Sequence, residues 1–371
     1  GIEKSFDYEL TTSNKPLKLS LDTEIQYLIR EELIKFQEIF NSYGSTAILM
    51  NVNSGEILSM VSLPDFDLNK REDISDKKFI NRSTKGVYEL GSVFKTFTLA
   101  AGLQQNVIQE DTLFNNLPKK IKCAGRSISE YDMDIPSSLT AEEILIRSGN
   151  IGSIKIAQKV GLENFKDFLE NLDLLNKIQF DIEEVGNPIP FKWGKCKLAT
   201  SAYGHGITTT PLQLAKAYAI IANGGYKIKP TLIKKEKNLK RGEQIITQEN
   251  SNKINEILRK IVTSEQGTAN LANIAGYEIA GKTGTAQKSI KGKYSKKKIN
   301  TFASIFPISS PKYVLIVLLD EPKLSETYIY EYNDGKKRKI IGTPFNTAGW
   351  TSVEVAKNII EKIGPILAIK Y

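Results

Sequence analysis

Apolar residues recur at helical spacing over residues 21–40. They fall three or four positions apart, as one face of a helix requires, at Ile25, Leu28, Ile29, Leu33, Phe36 and Phe40. Asp22 or Thr23 stands just before this pattern and is a suitable N-cap. The spacing therefore predicts a long amphipathic helix.

Runs typical of β-strands occupy both ends of the chain. Residues 46–52 and 56–61 are rich in apolar and β-branched side chains, and Asn53-Ser54-Gly55 between them is typical of a hairpin turn. Three further strands are predicted near the other end, over residues 277–286, 300–306 and 313–319.

The chain between these strands is mainly helical in pattern. The predicted helices cover residues 92–104, 141–148, 151–159, 162–171, 212–222 and 248–264, and a last helix covers 352–363. Strands at both ends with helices inserted between them predict an α+β fold. We expect one antiparallel sheet backed by the first and last helices, plus a helical lobe.

Two segments lack clear periodicity. Residues 1–15 are polar and are interpreted as a linker. Residues 323–344 are polar and basic, and we interpret them as a mobile loop between the last strand and the last helix. Residues 1–15 are not expected to carry chemistry.

The chain is basic but carries no nucleic-acid motif. Its 51 Lys and Arg residues against 42 Asp and Glu give a net charge of +9. The densest basic run is Lys288–Lys298, which we interpret as a solvated loop between two strands. Attraction to anionic polymer or membrane phosphates is the alternative interpretation. We expect no nucleic-acid partner.

On their own, the cysteines and the apolar runs give little information about the cellular compartment of the protein. Cys123 and Cys196 have no metal-ligand spacing, and the sequence leaves open whether they pair. No apolar run reaches the roughly 18 residues needed to span a bilayer, and the first residues do not resemble a signal peptide. No metal or cofactor motif is visible.

The candidate chemistry begins with Ser92 and Lys95. Ser-x-x-Lys occurs four times, but only Ser92 opens an apolar helical pattern; the others start at Ser75, Ser295 and Ser309. On a helix, positions i and i+3 share a face, so the lysine can act as a base for the serine hydroxyl. A helix-capping serine beside a solvated lysine is the alternative.

Two further motifs follow in chain order. Ser148-Gly149-Asn150 is the only Ser-x-Asn, and Lys282-Thr283-Gly284 is the only Lys-Thr-Gly. Ser-x-x-Lys, a Ser-x-Asn-type element and Lys-Thr-Gly together form the signature of active-site serine penicillin-recognising enzymes. Three short motifs in order are far more specific than any one.

With these motifs, the chain resembles the transpeptidase domain of class B penicillin-binding proteins, most of all the septal FtsI type. The similar segments are 55–67, 88–98, 203–206, 210–215 and 280–286. The resemblance extends over residues 17–366 and implies a transpeptidase domain over 16–371, preceded by a linker or pedestal remnant over 1–15. Gly149 is a mild departure from the family pattern, since the family more often has serine between Ser148 and Asn150.

The implied fold is the penicillin-binding protein/serine β-lactamase-like transpeptidase fold. It has a five-stranded antiparallel sheet flanked by helices plus a helical lobe, with the site in the cleft between sheet and lobe. His205, the only histidine, is expected to be structural or to support this cleft.

The resemblance assigns catalytic roles to five residues. Ser92 would attack the penultimate D-Ala carbonyl of a stem peptide that ends in D-Ala-D-Ala, and Lys95 would take its proton. Ser148 would pass a proton to the leaving nitrogen, while Asn150 would bind the substrate amide or Lys95. Lys282 would attract the terminal carboxylate of the substrate.

Substrate binding and oxyanion stabilisation fall to the strand after Lys282. Thr283 and Thr285 would offer hydroxyls, and Gly284 would let the substrate approach the backbone. The backbone N–H groups of Ser92 and Thr285 would form the oxyanion hole. These roles follow from the resemblance and no cofactor is needed for them.

The resemblance also implies a cellular setting. It implies a bacterial inner-membrane protein with a periplasmic catalytic domain, anchored by a helix upstream of this chain. The expected partners are peptidoglycan stem peptides, β-lactam antibiotics, a SEDS glycosyltransferase and divisome proteins. The alternatives are an elongation-type class B transpeptidase, a β-lactamase and a penicillin-sensing domain.

Overall fold

A computed structural model describes residues 1–67, 69–70, 76–235, 241–290, 293–333 and 337–371. The helices are α1 Ile2–Ser5, α2 Asp7–Thr12, α3 Thr23–Ile39, α4 Lys95–Gln104, α5 Ala141–Ile146, α6 Asn150–Val160, α7 Leu162–Asn171, α8 Lys195–Ser201, α9 Pro211–Ala222, α10 Gln248–Thr263 and α11 Ser352–Lys370. The strands are β1 Gly44–Asn51, β2 Ile57–Leu63, β3 Leu113–Phe114, β4 Lys120–Cys123, β5 Arg126–Ser129, β6 Leu139–Thr140, β7 Ala280–Ile290, β8 Lys293–Phe306, β9 Tyr313–Asp320, β10 Ile329–Asn333 and β11 Lys337–Ile341.

The main sheet has five strands in the order β2-β1-β9-β8-β7, and every neighbouring pair is antiparallel. The central strand β9 is buried along its whole length. Its continuous apolar run fits a strand that is covered on both faces. The strand β7, which carries Lys-Thr-Gly, lies at the edge of the sheet. The predicted five-stranded antiparallel sheet is therefore confirmed.

The first long helix and the last helix support this sheet. The helix α3 packs on β1 and β2, α11 packs on β8 and β9, and the two helices contact each other. The Asp22 carboxylate caps α3 by accepting hydrogen bonds from the backbone of Glu24 and Ile25, both at 3.1 Å. This cap and the buried apolar face account for the helix that the spacing predicted.

The helical lobe lies against the sheet through α9 and α10. The helix α9 packs on β1, β8 and β9, and α10 packs on β7. A capping box between Thr210 and Gln213, with Pro211 in the first turn, begins α9. Because α9 is buried on nearly all sides, it fixes the lobe to the centre of the sheet.

The prediction of a mobile loop over residues 323–344 is wrong for the part of that segment that the structure describes. The strands β10 and β11 form an antiparallel ladder there, in which Ile329 pairs with Ile341. Tyr330 is fully buried, and its hydroxyl donates to the Trp350 carbonyl at 2.8 Å. Because most other side chains of the hairpin face solvent, its apolar pattern is too weak to reveal the strands.

Two further segments are more ordered than their sequences predicted. The described part of the basic run Lys288–Lys298 forms the paired ends of β7 and β8, so the predicted loop between strands is wrong there. Lys288 contacts the carboxylates of Asp320 and Glu321 at 2.7 and 2.8 Å, which offsets its charge. Residues 1–15 contain the short helices α1 and α2, which bury no side chain.

The structure resolves the question of the cysteines. Cys123 in β4 and Cys196 in α8 form a disulfide, with their Cα atoms 5.6 Å apart. The bond joins the β4–β5 hairpin to the helix that precedes the Tyr203–Gly206 segment. In the described ranges, no helix combines the length and the apolar character needed to cross a bilayer.

Candidate active site

Ser92 lies in a 3₁₀ turn, Gly91–Phe94, that leads directly into α4. The sequence predicted that Ser92 begins the α-helix itself, and the structure places the α-helix three residues later. The buried Tyr218 of α9 holds this turn, since its hydroxyl donates to the Val93 carbonyl at 3.0 Å. The same hydroxyl shares a 2.9 Å hydrogen bond with Thr96. The centre of the helical lobe therefore fixes the position of Ser92.

The three sequence motifs meet at the hydroxyl of Ser148. Lys95 Nζ donates to the Ser148 carbonyl at 2.5 Å and to Ser148 Oγ at 3.2 Å. Lys282 Nζ donates to the same Oγ at 2.9 Å. One hydroxyl thus bridges the two amines, which come from opposite walls of the cleft.

Burial controls the charge of both amines. Lys95 is 2% exposed and Lys282 is fully buried. Burial lowers the pKa of Lys95 to about 7, against the opposing charge of Glu130. Burial and the neighbouring charge of Lys95 lower the pKa of Lys282 well below its usual value. A neutral amine is therefore available in the site near neutral pH.

Ser148 has an unusual backbone for a serine. It follows α5 with a φ of +59°, a conformation that L-residues with side chains seldom adopt. Its amide donates to the Leu145 carbonyl at 3.1 Å, and this helix-ending turn places both its oxygens at Lys95. The strained conformation therefore serves the geometry of the site.

Asn150 begins α6, and its side chain lines the cavity. Its amide group donates to the Ser129 carbonyl at 2.8 Å, so in this structure its hydrogen bond goes to Ser129 and not to Lys95. The backbone amides of Asn150 and Ile151 donate to the two oxygens of Glu130, at 2.6 and 2.8 Å. No local sequence pattern marks Glu130, so this residue was not predicted from the sequence.

Successive residues of the Lys-Thr-Gly-Thr segment in β7 lie on opposite faces of the strand. Lys282 and Gly284 lie on the face towards the Ser92 turn, and a Cβ added to Gly284 would lie 2.2 Å from the Leu90 carbonyl oxygen. Gly284 therefore lets β7 pack closely on that turn. The hydroxyl of Thr283 shares a 2.6 Å hydrogen bond with Thr268, and that of Thr285 accepts from the Ala348 amide at 2.9 Å.

A cavity of about 750 Å³ lies beside these groups, and Lys282 and Gly284 are not among the residues that line it. The sequence-predicted residues that line it are Ser92, Lys95, Ser148, Asn150, Thr283 and Thr285. His205 also lines it and stacks between the rings of Tyr203 and Tyr294, at centroid distances of 5.7 and 4.4 Å. Within the described ranges, no group of three His, Cys, Asp or Glu side chains could hold a metal ion.

Gly204 offers a test of how tightly this site is packed. Its φ is +78°, and a Cβ there would lie 2.0 Å from the Gly91 carbonyl oxygen. Gly161 is the matched control, since its φ is +82° and its Cβ would meet nothing within 4 Å. We expect Gly204→Ala to lower the free energy of unfolding in urea by about 1–3 kcal/mol more than Gly161→Ala does. Equal losses would show that the contact with Gly91 is not tight.

Comparison with known proteins identifies the family. Residues 45–346 match the penicillin binding protein transpeptidase domain. The chain belongs to this family. Its relatives include a probable peptidoglycan D,D-transpeptidase FtsI of Caulobacter vibrioides, 32% identical over all of this chain and 62% of that protein. Stage V sporulation protein D of Bacillus subtilis is 29% identical over 86% of this chain and 52% of that protein.

A solved structure supports the same fold for this transpeptidase domain. The TP domain of Burkholderia pseudomallei penicillin-binding protein 3 superimposes with a TM-score of 0.80 and 25% identity, over 95% of this chain and 97% of that one. The α+β fold with a five-stranded sheet and a helical lobe is therefore confirmed. The chain spans 62% of the length of its Caulobacter relative.

Proposed function

We propose that this transpeptidase domain cross-links peptidoglycan stem peptides through an acyl-enzyme on Ser92. The observation that carries the proposal is the convergence of Lys95 and Lys282 on Ser148 Oγ, at 3.2 and 2.9 Å. The serine turn lies beside this cluster and lines the same cavity. A nucleophile, a base that is neutral near pH 7 and a proton relay are the parts that acyl transfer requires.

Acylation uses the residues in a defined order. Ser92 Oγ forms a bond to the penultimate D-Ala carbonyl carbon, and its proton passes to the neutral amine of Lys95. The backbone N–H groups of Ser92 and Thr285 stabilise the oxyanion. As the C–N bond breaks, Ser148 gives its proton to the leaving D-Ala amine and receives one from Lys95.

One observation supports the oxyanion hole. The backbone of Gly91, which precedes Ser92, lies close to that of Thr285, since a Cβ on Gly91 would lie 2.9 Å from the Thr285 carbonyl oxygen. Lys282 is the cation for the terminal carboxylate of the substrate. That carboxylate favours the ammonium form of Lys282 and so opposes the effect of burial, which lowers the pKa of Lys282.

Transfer to the acceptor reverses the roles. The amine of a neighbouring stem peptide attacks the acyl carbon and gives its proton to Lys95. The ester bond to Ser92 then breaks, and Ser92 Oγ regains a proton from Lys95 through the reverse of the first step. The site ends as it began, with the cross-link formed and D-Ala released.

We assign the domain to septal synthesis, because its FtsI relative matches all of this chain. An elongation or sporulation role is the alternative, since a sporulation protein is nearly as similar. The septal assignment implies SEDS and divisome partners and a membrane anchor outside this chain. The disulfide suits an oxidising compartment such as the periplasm. Complementation tests this assignment. The protein should rescue a strain depleted of its septal transpeptidase and should fail to rescue a strain depleted of its elongation transpeptidase.

Intact mass after mixing with a fluorescent penicillin tests the acyl-enzyme. We expect one adduct that persists after removal of excess drug, because the residues of the site are assigned to transfer the acyl group to an amine and not to water. Rapid loss of the adduct with turnover of penicillin would indicate a β-lactamase. Release of D-Ala and formation of a cross-link from purified stem peptides would separate the transpeptidase from a penicillin-sensing domain.

A further inference from the structure

Glu130 supports the wall of the cleft that carries Ser148. Its side chain is 7% exposed, and its two oxygens accept hydrogen bonds from the first two backbone amides of α6. Those amides belong to Asn150 and Ile151, immediately after Ser148-Gly149. A carboxylate at a helix N-terminus satisfies amides that otherwise lack partners and favours the helix dipole. The position of Glu130 therefore fixes where α6 begins.

The β4–β5 hairpin places Glu130. Its last residue, Ser129, accepts the side-chain hydrogen bond of Asn150, and the Glu130 amide donates to the Lys119 carbonyl at 3.0 Å. An isolated two-stranded hairpin is marginally stable. This one is tied to α8 by the disulfide from Cys123.

The helix at the other end of the disulfide leads to the opposite side of the nucleophile. After α8, the Ala202 carbonyl accepts a hydrogen bond from Thr98 of α4 at 2.7 Å. Gly204 then packs on Gly91, and the Gly206 amide donates to Glu89 at 2.8 Å. The disulfide thus joins the hairpin that holds the Ser148 wall to the segment that packs on the Ser92 turn.

We propose that Glu130 is a positioning residue for acylation, and that the Cys123–Cys196 disulfide holds its hairpin in place. Through its two hydrogen bonds, Glu130 fixes the start of α6 and with it the Ser148 oxygens that bind Lys95. Its effect on acylation rests on the proposed function. Its effect on the start of α6 does not.

Glu130 also acts on Lys95 through its charge. The carboxylate raises the pKa of Lys95 against the effect of burial. Lys282 is the other charged group beside Lys95, and Asp132, Arg147 and His205 also line the cavity. Loss of the Glu130 charge therefore moves the titration of Lys95 to lower pH, an effect that a purely structural residue would not have.

Glu130→Gln tests the proposal in two independent measurements. Glutamine has one carbonyl oxygen for two amide donors, so we expect faster hydrogen exchange at residues 150–151. With fluorescent penicillin, we expect acylation about 10- to 100-fold slower, with its pH midpoint below that of the parent. Asp134→Asn is the control, because it removes an exposed carboxylate four residues from Glu130 that does not line the cavity, and it leaves α6 capped. Both measurements should match the parent.

A variant without the disulfide separates position from charge. In the double variant Cys123→Ala with Cys196→Ala, we expect slower acylation and faster exchange at residues 150–151, with the pH midpoint unchanged because Glu130 keeps its charge. This variant carries the test if Glu130→Gln does not fold.

If residues 150–151 of Glu130→Gln exchange hydrogen at the same rate as in the parent, the positioning role is overturned, whatever the acylation rate. Parent rates in the double variant would overturn the role of the disulfide. If exchange rises as expected but the parent chain forms no adduct with penicillin, the proposed function fails and the structural role of Glu130 stands.

Discussion

Ser92→Ala is expected to abolish covalent labelling by penicillin. Without Oγ no ester bond forms, and the hydroxyl of Ser148 cannot substitute because both neighbouring lysines donate to it. Loss of the nucleophile of a serine acyl-transfer enzyme costs about 10⁶-fold in rate. Intact mass should therefore show an adduct on the parent chain and none on Ser92→Ala.

Ser309→Ala is the matched control for this result. Ser309 also precedes a lysine by three residues, but it follows β8 and does not line the cavity. We expect it to label like the parent. Labelling of Ser92→Ala at the parent rate would mean that another residue is the nucleophile, and peptide mapping of the adduct would identify it.

Much of the fold was predictable because its strongest signals are local. The helical spacing that begins at Ile25 predicted α3, and Asp22, one of the two predicted caps, is its N-cap. The apolar run before Asp320 predicted the strand β9, and its burial along its whole length explains why the run is unbroken. In such segments, residues near one another in sequence determine the structure, and a single sequence contains that information.

Features that depend on distant contacts were not predictable. The partner of Cys123 lies 73 residues away, and the hydrogen bonds of Glu130 depend on where its hairpin meets α6. Among the described side chains of the β10–β11 hairpin, that of Tyr330 is the buried one, and one buried side chain gives no periodic pattern. Each feature requires the folded arrangement of separate elements.

The candidate site lies between these two cases. The three motifs identified Ser92, Lys95, Ser148 and Lys282, which the fold brings together. The role predicted for Gly284 remains a prediction, and the structure adds that its missing side chain admits the Leu90 carbonyl. Residue type and order were enough to predict the candidate site, but the direction of each side chain required the fold.

Lys95→Met is expected to lower acylation about 10²- to 10⁴-fold, the usual contribution of a general base. Methionine matches the length of lysine but accepts no proton. Acylation of the parent should rise with pH about a midpoint near 7, because the pKa of Lys95 is about 7 and only its neutral form acts as a base. A parent rate that does not vary between pH 5 and 9 would rule out Lys95 as the base.

The same substitution is expected to stabilise the fold. Burial lowers the pKa of Lys95 from 10.5 to about 7, so the folded state binds fewer protons than the unfolded state between these values. The stability of the parent therefore rises with pH across this window, and the penalty is fully present below pH 7. We expect Lys95→Met to raise the free energy of unfolding by about 1–2 kcal/mol at pH 7.

This gain should shrink as the pH rises through 10.5, because lysine is neutral in both states only above that value. Lys155→Met is the control, since Lys155 is exposed on α6, and neither acylation nor stability should change. A less active and less stable Lys95→Met would mean that the hydrogen bonds to Ser148 outweigh the cost of burying the amine. A less active but more stable variant would show that the protein retains a destabilising lysine because acylation requires its base.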